Sequence, residues 1–280
     1  MNILITGSNG FIGKNLNDYF NKKHNLFNVI KKNNKYYNLQ NKIIADLSIY
    51  ESTRIITDSI SKKKISIDLI IHTAGKLFNE KNKYEDFNTN IQISNNLCIL
   101  VRKLKCKKLI NFSSMSVYPY VNGLFNEKSL CNPKINNDHL YGLSKLLSEK
   151  IFNSNLENTN CKVINLRVSQ IYGKYMKQNR IIPVMKKELK KNNKITVYGN
   201  GKRIINIISI AYLNKILNKI IYYNKNDTFN LGEENISLYK LAKRIIKQTN
   251  NNNNAKILKE YSGKKERFFL DTSKVESLLK

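Results

Sequence analysis

Apolar residues along this chain follow two rhythms. Short, mainly apolar runs occur at Asn2–Thr6, Leu26–Ile30, Ile43–Ala45, Ile67–His72 and Leu109–Phe112, interrupted only by Asn28, Asp68 and Asn111. A strand buried on both faces leaves such a run, because neither face needs polar side chains. Between these runs the apolar positions fall three and four apart: Phe11, Ile12, Leu16, Tyr19 and Phe20, then a long segment from about Glu85 to Leu104, then Leu143, Leu146, Leu147 and Ile151. That spacing lines one side of a helix. Strand and helix alternate from the first residues onward, which predicts an α/β fold on a doubly wound parallel sheet. Past Gly173 the pattern predicts helices over Ile181–Leu189, Leu213–Tyr222 and Ser237–Ile246, the last with Ser237 as N-cap, and strands over Ile195–Tyr198 and Ile204–Ile210. Asn250–Asn254 reads as a polar low-complexity loop.

Composition changes the picture in one respect. The formal charge is +29, from 49 Lys and Arg against 20 Asp and Glu, and an excess of that size raises nucleic acid as a partner. Only seven of the basic residues are Arg, and the Lys are scattered among Asn and Ile. The excess therefore reads as compositional bias, with Lys as solvated surface, and no nucleic-acid partner is expected. The field still favours an anionic small-molecule substrate. No run of 18 apolar residues occurs, and Met1–Ile5 enters a strand without a charged leader. Neither membrane insertion nor a signal peptide is expected, and the expected location is cytoplasmic. Cys98, Cys106, Cys131 and Cys161 form no CxxC pair and read as reduced thiols filling a core.

Candidate chemistry sits where strands end. Gly7-Ser8-Asn9-Gly10-Phe11-Ile12-Gly13 joins the first strand to the first helix. Glycines there permit a tight turn and a close backbone approach, and the helix N-terminus favours a pyrophosphate. The second strand ends in Lys31 and Lys32 rather than in the carboxylate that commonly binds the ribose 2′-hydroxyl of NAD. A cation there suits the 2′-phosphate of NADP, so NADP(H) is expected over NAD(H). Asp46, before Leu47, follows the third strand and is a candidate for the adenine amino group. His72-Thr73-Ala74-Gly75 ends the next strand in small residues, with His72 expected to be structural, and Ser113–Tyr118 ends the one after. In Tyr141-Gly142-Leu143-Ser144-Lys145, positions i and i+4 share a helical face, so the Tyr141 hydroxyl and Lys145 ammonium point the same way. An adjacent cation stabilises a phenolate, lowering a phenol's pKa by roughly 1–3 units.

Thr6–Gly13, Asp46-Leu47, His72–Gly75, Asn88, Ser113–Tyr118 and Tyr141–Lys145, in this order, resemble the extended short-chain dehydrogenase/reductases. More narrowly the chain resembles the NAD-dependent epimerase/dehydratase family, which acts on nucleotide sugars. The likeness continues through Leu166–Gly173, Ile182-Pro183, Val197–Gly201, Phe229–Gly232 and Asp271–Lys274. It implies a Rossmann-type dinucleotide-binding domain over 1–172 and a substrate-binding part over 173–280, with 229–232 returning to the sheet. It implies Tyr141 as general acid/base, Lys145 on the nicotinamide ribose and Ser114 on the reacting oxygen. Cofactor contacts would come from Gly7, Asn9, Gly10, Phe11, Ile12, Gly13, Lys31, Lys32, Asp46, Leu47, Thr73, Ala74, Gly75, Asn88 and Lys145. Substrate contacts would come from Ser114, Met115, Ser116, Tyr141, Gln170, Arg203 and Arg267, with no metal.

The departures narrow the chemistry. The family often has Arg-Asp after the glycine pair, to hold the substrate pyrophosphate. An ungapped alignment puts Ile205 and Asn206 there, leaving Arg203 or Arg267 for the role, and the usual Asn before Tyr-Gly is Gln170. Related dehydratases carry Asp-Glu after the catalytic Ser or Thr, where this chain has Met115 and Ser116. No His follows His139, which counts against epimerisation at further carbons. The expected activity is reduction of a 4-keto hexose nucleotide, with a 4-epimerase using retained NAD as the alternative and an inactive nucleotide sensor as a third. The helices around Glu85–Leu104 and Tyr141–Ser154 carry extra apolar residues, and related enzymes pair them as a four-helix interface, so a homodimer is expected.

Overall fold

The computed structural model describes residues 1–32, 39–78, 81–133, 139–249 and 254–279; of the expected polar loop, residues 250–253 lie outside these. The chain runs β1 (Asn2–Thr6), α1 (Phe11–Phe20), β2 (Asn25–Ile30), β3 (Lys42–Ile44), α2 (Ser52–Ser61), β4 (Leu69–His72), α3 (Lys83–Lys103) and β5 (Lys108–Ser114). A single 3₁₀ turn at Met115–Val117 follows, then β6 (Gly123–Phe125), α4 (His139–Leu156), β7 (Lys162–Val168), β8 (Gln170–Tyr172), α5 (Ile181–Asn192) and β9 (Lys194–Val197). The remainder is β10 (Ile204–Ser209), α6 (Ile210–Ile220), β11 (Asp227–Leu231), β12 (Glu234–Ser237), α7 (Leu238–Gln248), β13 (Lys256–Lys259), β14 (Phe268–Leu270) and α8 (Ser273–Glu276).

Seven strands form one parallel sheet in the order β3-β2-β1-β4-β5-β7-β11. Each central strand is buried on both sides. Ile3 and Ile5 of β1, with Ile110 and Phe112 of β5, pack toward Leu16 and Phe20 of α1 and Leu213 and Leu217 of α6. Leu4 and Leu109 pack the other way, with Ile56 and Ile60 of α2, Leu97 and Val101 of α3, and Phe152 and Leu156 of α4. This double burial is the reason for the mainly apolar runs, and it makes the fold the expected α/β doubly wound sheet. Strand order reverses between β1 and β4, opening a crevice at their carboxyl ends, the place where such sheets bind ligands.

A second core lies C-terminal, where Met185 and Leu189 of α5 and Leu241 and Ile245 of α7 cover Ile195, Val197, Ile205, Ile207 and Ile236. Its strands form a small sheet β12-β10-β8 and a parallel pair β13-β9, while β14 pairs with β6. Ser237 caps α7, its hydroxyl accepting from Lys240 N at 3.2 Å. Helix α6 starts three residues before the apolar spacing predicts, because Ser209 caps it by accepting from Tyr212 N at 3.1 Å. The expected strand therefore ends at Ser209, and Ile210 is helical.

Candidate active site

The loop between β1 and α1 needs its glycines for steric reasons. Gly7 has φ +72°, and a Cβ on it would lie 2.8 Å from both Cα and N of Ala74. A Cβ on Gly13 would lie 2.4 Å from Gly7 O and 2.5 Å from Ser8 Cα. Gly10 is the N-cap of α1 and gives it no side-chain cap, nor is there an acidic residue in the first turn. The N–H groups of that turn are thus left for an anion or water. Phe11 and Ile12 are half-buried on the first turn, and Asn9 Nδ2 donates to Lys32 O at 3.1 Å, tying the loop to the end of β2. A pyrophosphate fits this cradle in shape and charge.

At the end of β2, Lys31 and Asp46, expected to serve a 2′-phosphate and the adenine amino group, lie against each other. Lys31 Nζ lies 2.6 Å from Asp46 Oδ2, and the Ser48 hydroxyl donates to Oδ1 at 2.7 Å. Burial works against the Asp46 carboxylate, but the bonds from Lys31 and Ser48 outweigh it and hold its pKa below the ordinary value. The two charges that were assigned to opposite ends of an adenosine phosphate neutralise each other; Lys32 is exposed beside them. Leu47 is buried, and its carbonyl accepts from Asn96 Nδ2 at 2.8 Å.

His72 is buried at the end of β4, its Nδ1 2.7 Å from Thr6 Oγ1 and its ring edge-on to Phe152. Burial first, and then the charge of Lys145, push its pKa down to about 3, so His72 is a neutral tie between neighbouring strands. Thr73 Oγ1 donates to Thr6 O at 2.7 Å. The asparagine that reaches the next loop is Asn90, not Asn88. Asn90 is buried, accepts from Lys76 N at 2.8 Å and donates to Lys76 O at 3.1 Å, and its Oδ1 lies 3.4 Å from where a Gly75 Cβ would stand. Asn88 is exposed; two residues apart on a helix is about 200° around it, so only one of the pair can face the loop.

Ser114 ends β5 and its Oγ accepts from Ser116 N at 3.1 Å, holding Met115 and Ser116 in the 3₁₀ turn. Tyr141 and Lys145 follow on α4, with Lys145 Nζ 5.9 Å from the Tyr141 ring centroid. Lys145 donates to Phe112 O at 2.8 Å and shares a small enclosed space with His72, Ala74, Asn90, Ser94, Ser144 and Ser148. Its side chain keeps some exposed area, but the ammonium end is enclosed, and burial pushes its pKa down to about 8 against an opposing contribution from Glu149. Phe78 meets the Tyr141 ring edge-on at 5.9 Å. Gly142 lets α4 approach this turn: a Cβ there would lie 2.2 Å from Ser116 O. Asn90 and Phe78 were not singled out from the sequence, and Gly142 was read only as part of the Tyr141–Lys145 stretch, with no role of its own. A glycine inside a helical apolar pattern is the one signal that was available.

The backbones of Arg203 and Arg267 are neighbours, while their side chains contact different rings. Ile204 bridges Arg267 through the backbone, so both Arg lie at one end of neighbouring strands. Arg203 Nε donates to the Tyr120 hydroxyl at 3.0 Å, with its guanidinium over the same ring, while Arg267 is exposed against Phe269. Gln170 begins β8 and is half-buried. Among the described residues no group of three His, Cys, Asp or Glu could hold a metal, and no helix is long and apolar enough to cross a membrane.

Comparison with known proteins agrees with this architecture. The family model for the NAD dependent epimerase/dehydratase family matches residues 3–232. A dTDP-D-glucose 4,6-dehydratase of Dictyostelium discoideum is 29% identical over 87% of this chain, which spans 61% of that relative's length. A dTDP-4-dehydro-6-deoxyglucose reductase of Escherichia coli is 27% identical over 87% of this chain and 80% of its own. The solved UDP-glucuronic acid 4-epimerase of Bacillus cereus, in complex with UDP-glucuronic acid and NAD, superposes with a TM-score of 0.79 at 22% identity, covering 100% of this chain and 93% of that one. With glycine cradle, strand order and family match in agreement, the chain belongs to the NAD dependent epimerase/dehydratase family.

Proposed function

We propose that the chain is an NADP(H)-dependent reductase of a 4-keto hexose nucleotide. The observation that carries this reading is the make-up of the turn after β5. Ser114 and Tyr141 flank a site where Met115 and Ser116 offer no carboxylate, and the nearest Glu on α4, Glu149, is committed to Arg167 and Ser113. Elimination of water needs an additional acid/base pair, and plain reduction needs one proton. The nicotinamide cofactor, held by the Gly7–Gly13 loop, supplies the hydride when bound. Ser114 donates to the carbonyl oxygen, and a donor aimed at a developing alkoxide contributes about 3–4 kcal/mol in a dry site. Tyr141 delivers the proton to that oxygen. Lys145 binds the ribose and favours the phenolate left on Tyr141. Arg203 and Arg267 take the substrate pyrophosphate, and Gln170 and Met115 border the sugar. Purified protein given NADPH and a 4-keto hexose nucleotide is expected to consume the two mole for mole; redox-neutral interconversion of two hexose nucleotides would contradict this.

The cofactor preference rests on Lys31 and Lys32. NADPH is expected to bind at least about tenfold more tightly than NADH, a gap of roughly 1.4 kcal/mol, and Lys31→Asp to narrow it; equal dissociation constants for the two cofactors in the unaltered protein would contradict it. The Lys31–Asp46 pair favours the second reading, a 4-epimerase with retained NAD, because the carboxylate offsets half of the positive charge that Lys31 and Lys32 could offer a 2′-phosphate. A catalytically inactive sensor is disfavoured, since Ser114, Tyr141 and Lys145 are all present. We also propose a cytoplasmic homodimer pairing α3 and α4, which pack side by side and leave Phe87, Ile91, Leu147 and Ile151 only half-buried. Light scattering at micromolar concentration is expected to give twice the chain mass, and a monomer would exclude this interface.

A further inference from the structure

Beneath the Tyr141–Lys145 face lies a buried set of charges that the mechanism above does not use. Glu149 is one turn beyond Lys145 on α4 and is 3% exposed. Its carboxylate accepts from Arg167 Nε at 3.1 Å, from Arg167 Nη2 at 2.8 Å and from the Ser113 hydroxyl at 2.5 Å. Arg167 of β7, also buried, donates through Nη1 to the Tyr118 hydroxyl at 2.9 Å, and Tyr118 donates to Asn230 Oδ1 at 2.8 Å. Lys145 is fastened to Phe112 O and Glu149 to Ser113, so consecutive residues of β5 hold consecutive turns of α4. Ser114 is the next residue of that strand.

A buried ion pair seldom adds stability over an apolar packing of the same volume, because desolvation cancels most of the attraction. Its presence at this position calls for another role. We propose that Glu149, held in place by Arg167, is a positioning residue of the active site that supplies the counter-charge for the Lys145 ammonium. The inference rests on the reading of Tyr141 and Lys145 as the acid/base pair. Around Lys145 stand Tyr141 one turn before it and Glu149 one turn after it on α4, His72 from β4, neutral Asn90 and Ser94 from α3, and Phe112 O from β5; the Glu149 carboxylate is itself bonded to Arg167 of β7. Burial drives Lys145 toward its neutral form, down to about 8, and Glu149 opposes that drive. Without the carboxylate, Lys145 loses its proton nearer neutrality and no longer favours a phenolate on Tyr141.

The test is the pH dependence of Lys145 itself. Trace acetylation of the cofactor-free protein across a pH series, with the Lys145 peptide quantified by mass spectrometry, reads the fraction that is unprotonated. Glu149→Gln, which keeps the shape but removes the charge and one of the two acceptor oxygens, is expected to move the Lys145 midpoint down by about one pH unit, and the alkaline limb of kcat is expected to move down with it. Should that variant fail to fold with Arg167 unpaired, the charge-neutral double variant Glu149→Gln with Arg167→Met is expected to move the midpoint in the same direction by a smaller amount, because the opposing charge behind Glu149 is removed as well. A merely structural pair would lower thermal stability and leave the midpoint where it is; an unmoved midpoint in folded variants overturns the proposal. A shifted midpoint in a protein whose reductase activity survives Tyr141→Phe would uphold the counter-charge and overturn the reading of Tyr141 instead.

Discussion

Replacing Tyr141 with Phe lowers kcat by about 10²–10⁴-fold and leaves cofactor affinity nearly unchanged. The substitution removes only the hydroxyl. The ring keeps its edge-on contact with Phe78 and its place on the half-buried face of α4, so loss of activity reports the proton and not a displaced helix. Lys145→Ala acts differently. It empties the space shared with His72, Asn90 and Ser94, breaks the bond to Phe112 O, and removes the cation, so both kcat and cofactor affinity fall. With Lys145 near 8, activity declines as pH rises through that value, because the neutral amine no longer stabilises negative charge on Tyr141. Steady-state rates and a cofactor titration on each variant separate these outcomes. A Tyr141→Phe protein that keeps most of its activity would dismiss Tyr141 as the acid.

Gly142→Ala is the second large effect, and its sign is set by competition. In an open helix, Ala stabilises by about 1 kcal/mol over Gly. Here the new methyl would stand 2.2 Å from Ser116 O and 2.8 Å from Pro133 Cβ, and a backbone carbonyl cannot swing aside as a flexible side-chain end can. Overpacking of this kind costs about 1–3 kcal/mol, which outweighs the helical gain. To relieve the clash, α4 must move away from the turn that carries Ser114, taking Tyr141 with it. A shift of about 1 Å at the reacting groups costs on the order of 10²-fold in rate. Lowered thermal stability together with a drop in kcat of that order is expected; an Ala variant as stable and active as the parent would refute the close approach of α4.

What the sequence disclosed follows from burial. Strands covered on both faces, such as β1 and β5, carry mainly apolar runs and were legible to within one or two residues at each end. Strands β6 and β13 lie largely exposed and are three and four residues long, so no apolar run announces them. Helix α2 begins with Ser52, Thr53 and Arg54 and has low overall apolarity, which hides it in the same way. Within the site, residues in local motifs were legible because one turn brings them together: the glycine loop, Ser114 with Met115, Tyr141 with Lys145. Residues that meet only in three dimensions were not. Choosing Asn90 over Asn88 requires knowing which side of α3 faces the loop, and Glu149 with Arg167 look like ordinary surface charges until β7 and α4 are placed side by side. The Lys31–Asp46 pair joins strands through a contact that no spacing rule reveals.

The central claim is that the site carries out one hydride transfer and one proton transfer on a keto-sugar nucleotide, and isotope transfer tests it most directly. Protein incubated with NADPH bearing deuterium at the transferable position and a 4-keto hexose nucleotide is analysed by mass spectrometry of the nucleotide product. The account predicts a product containing one deuterium at the former carbonyl carbon, formed mole for mole with oxidised cofactor and slowed by about 10²–10⁴-fold in Tyr141→Phe. Interconversion of two hexose nucleotides without deuterium in either and without net cofactor oxidation would contradict it.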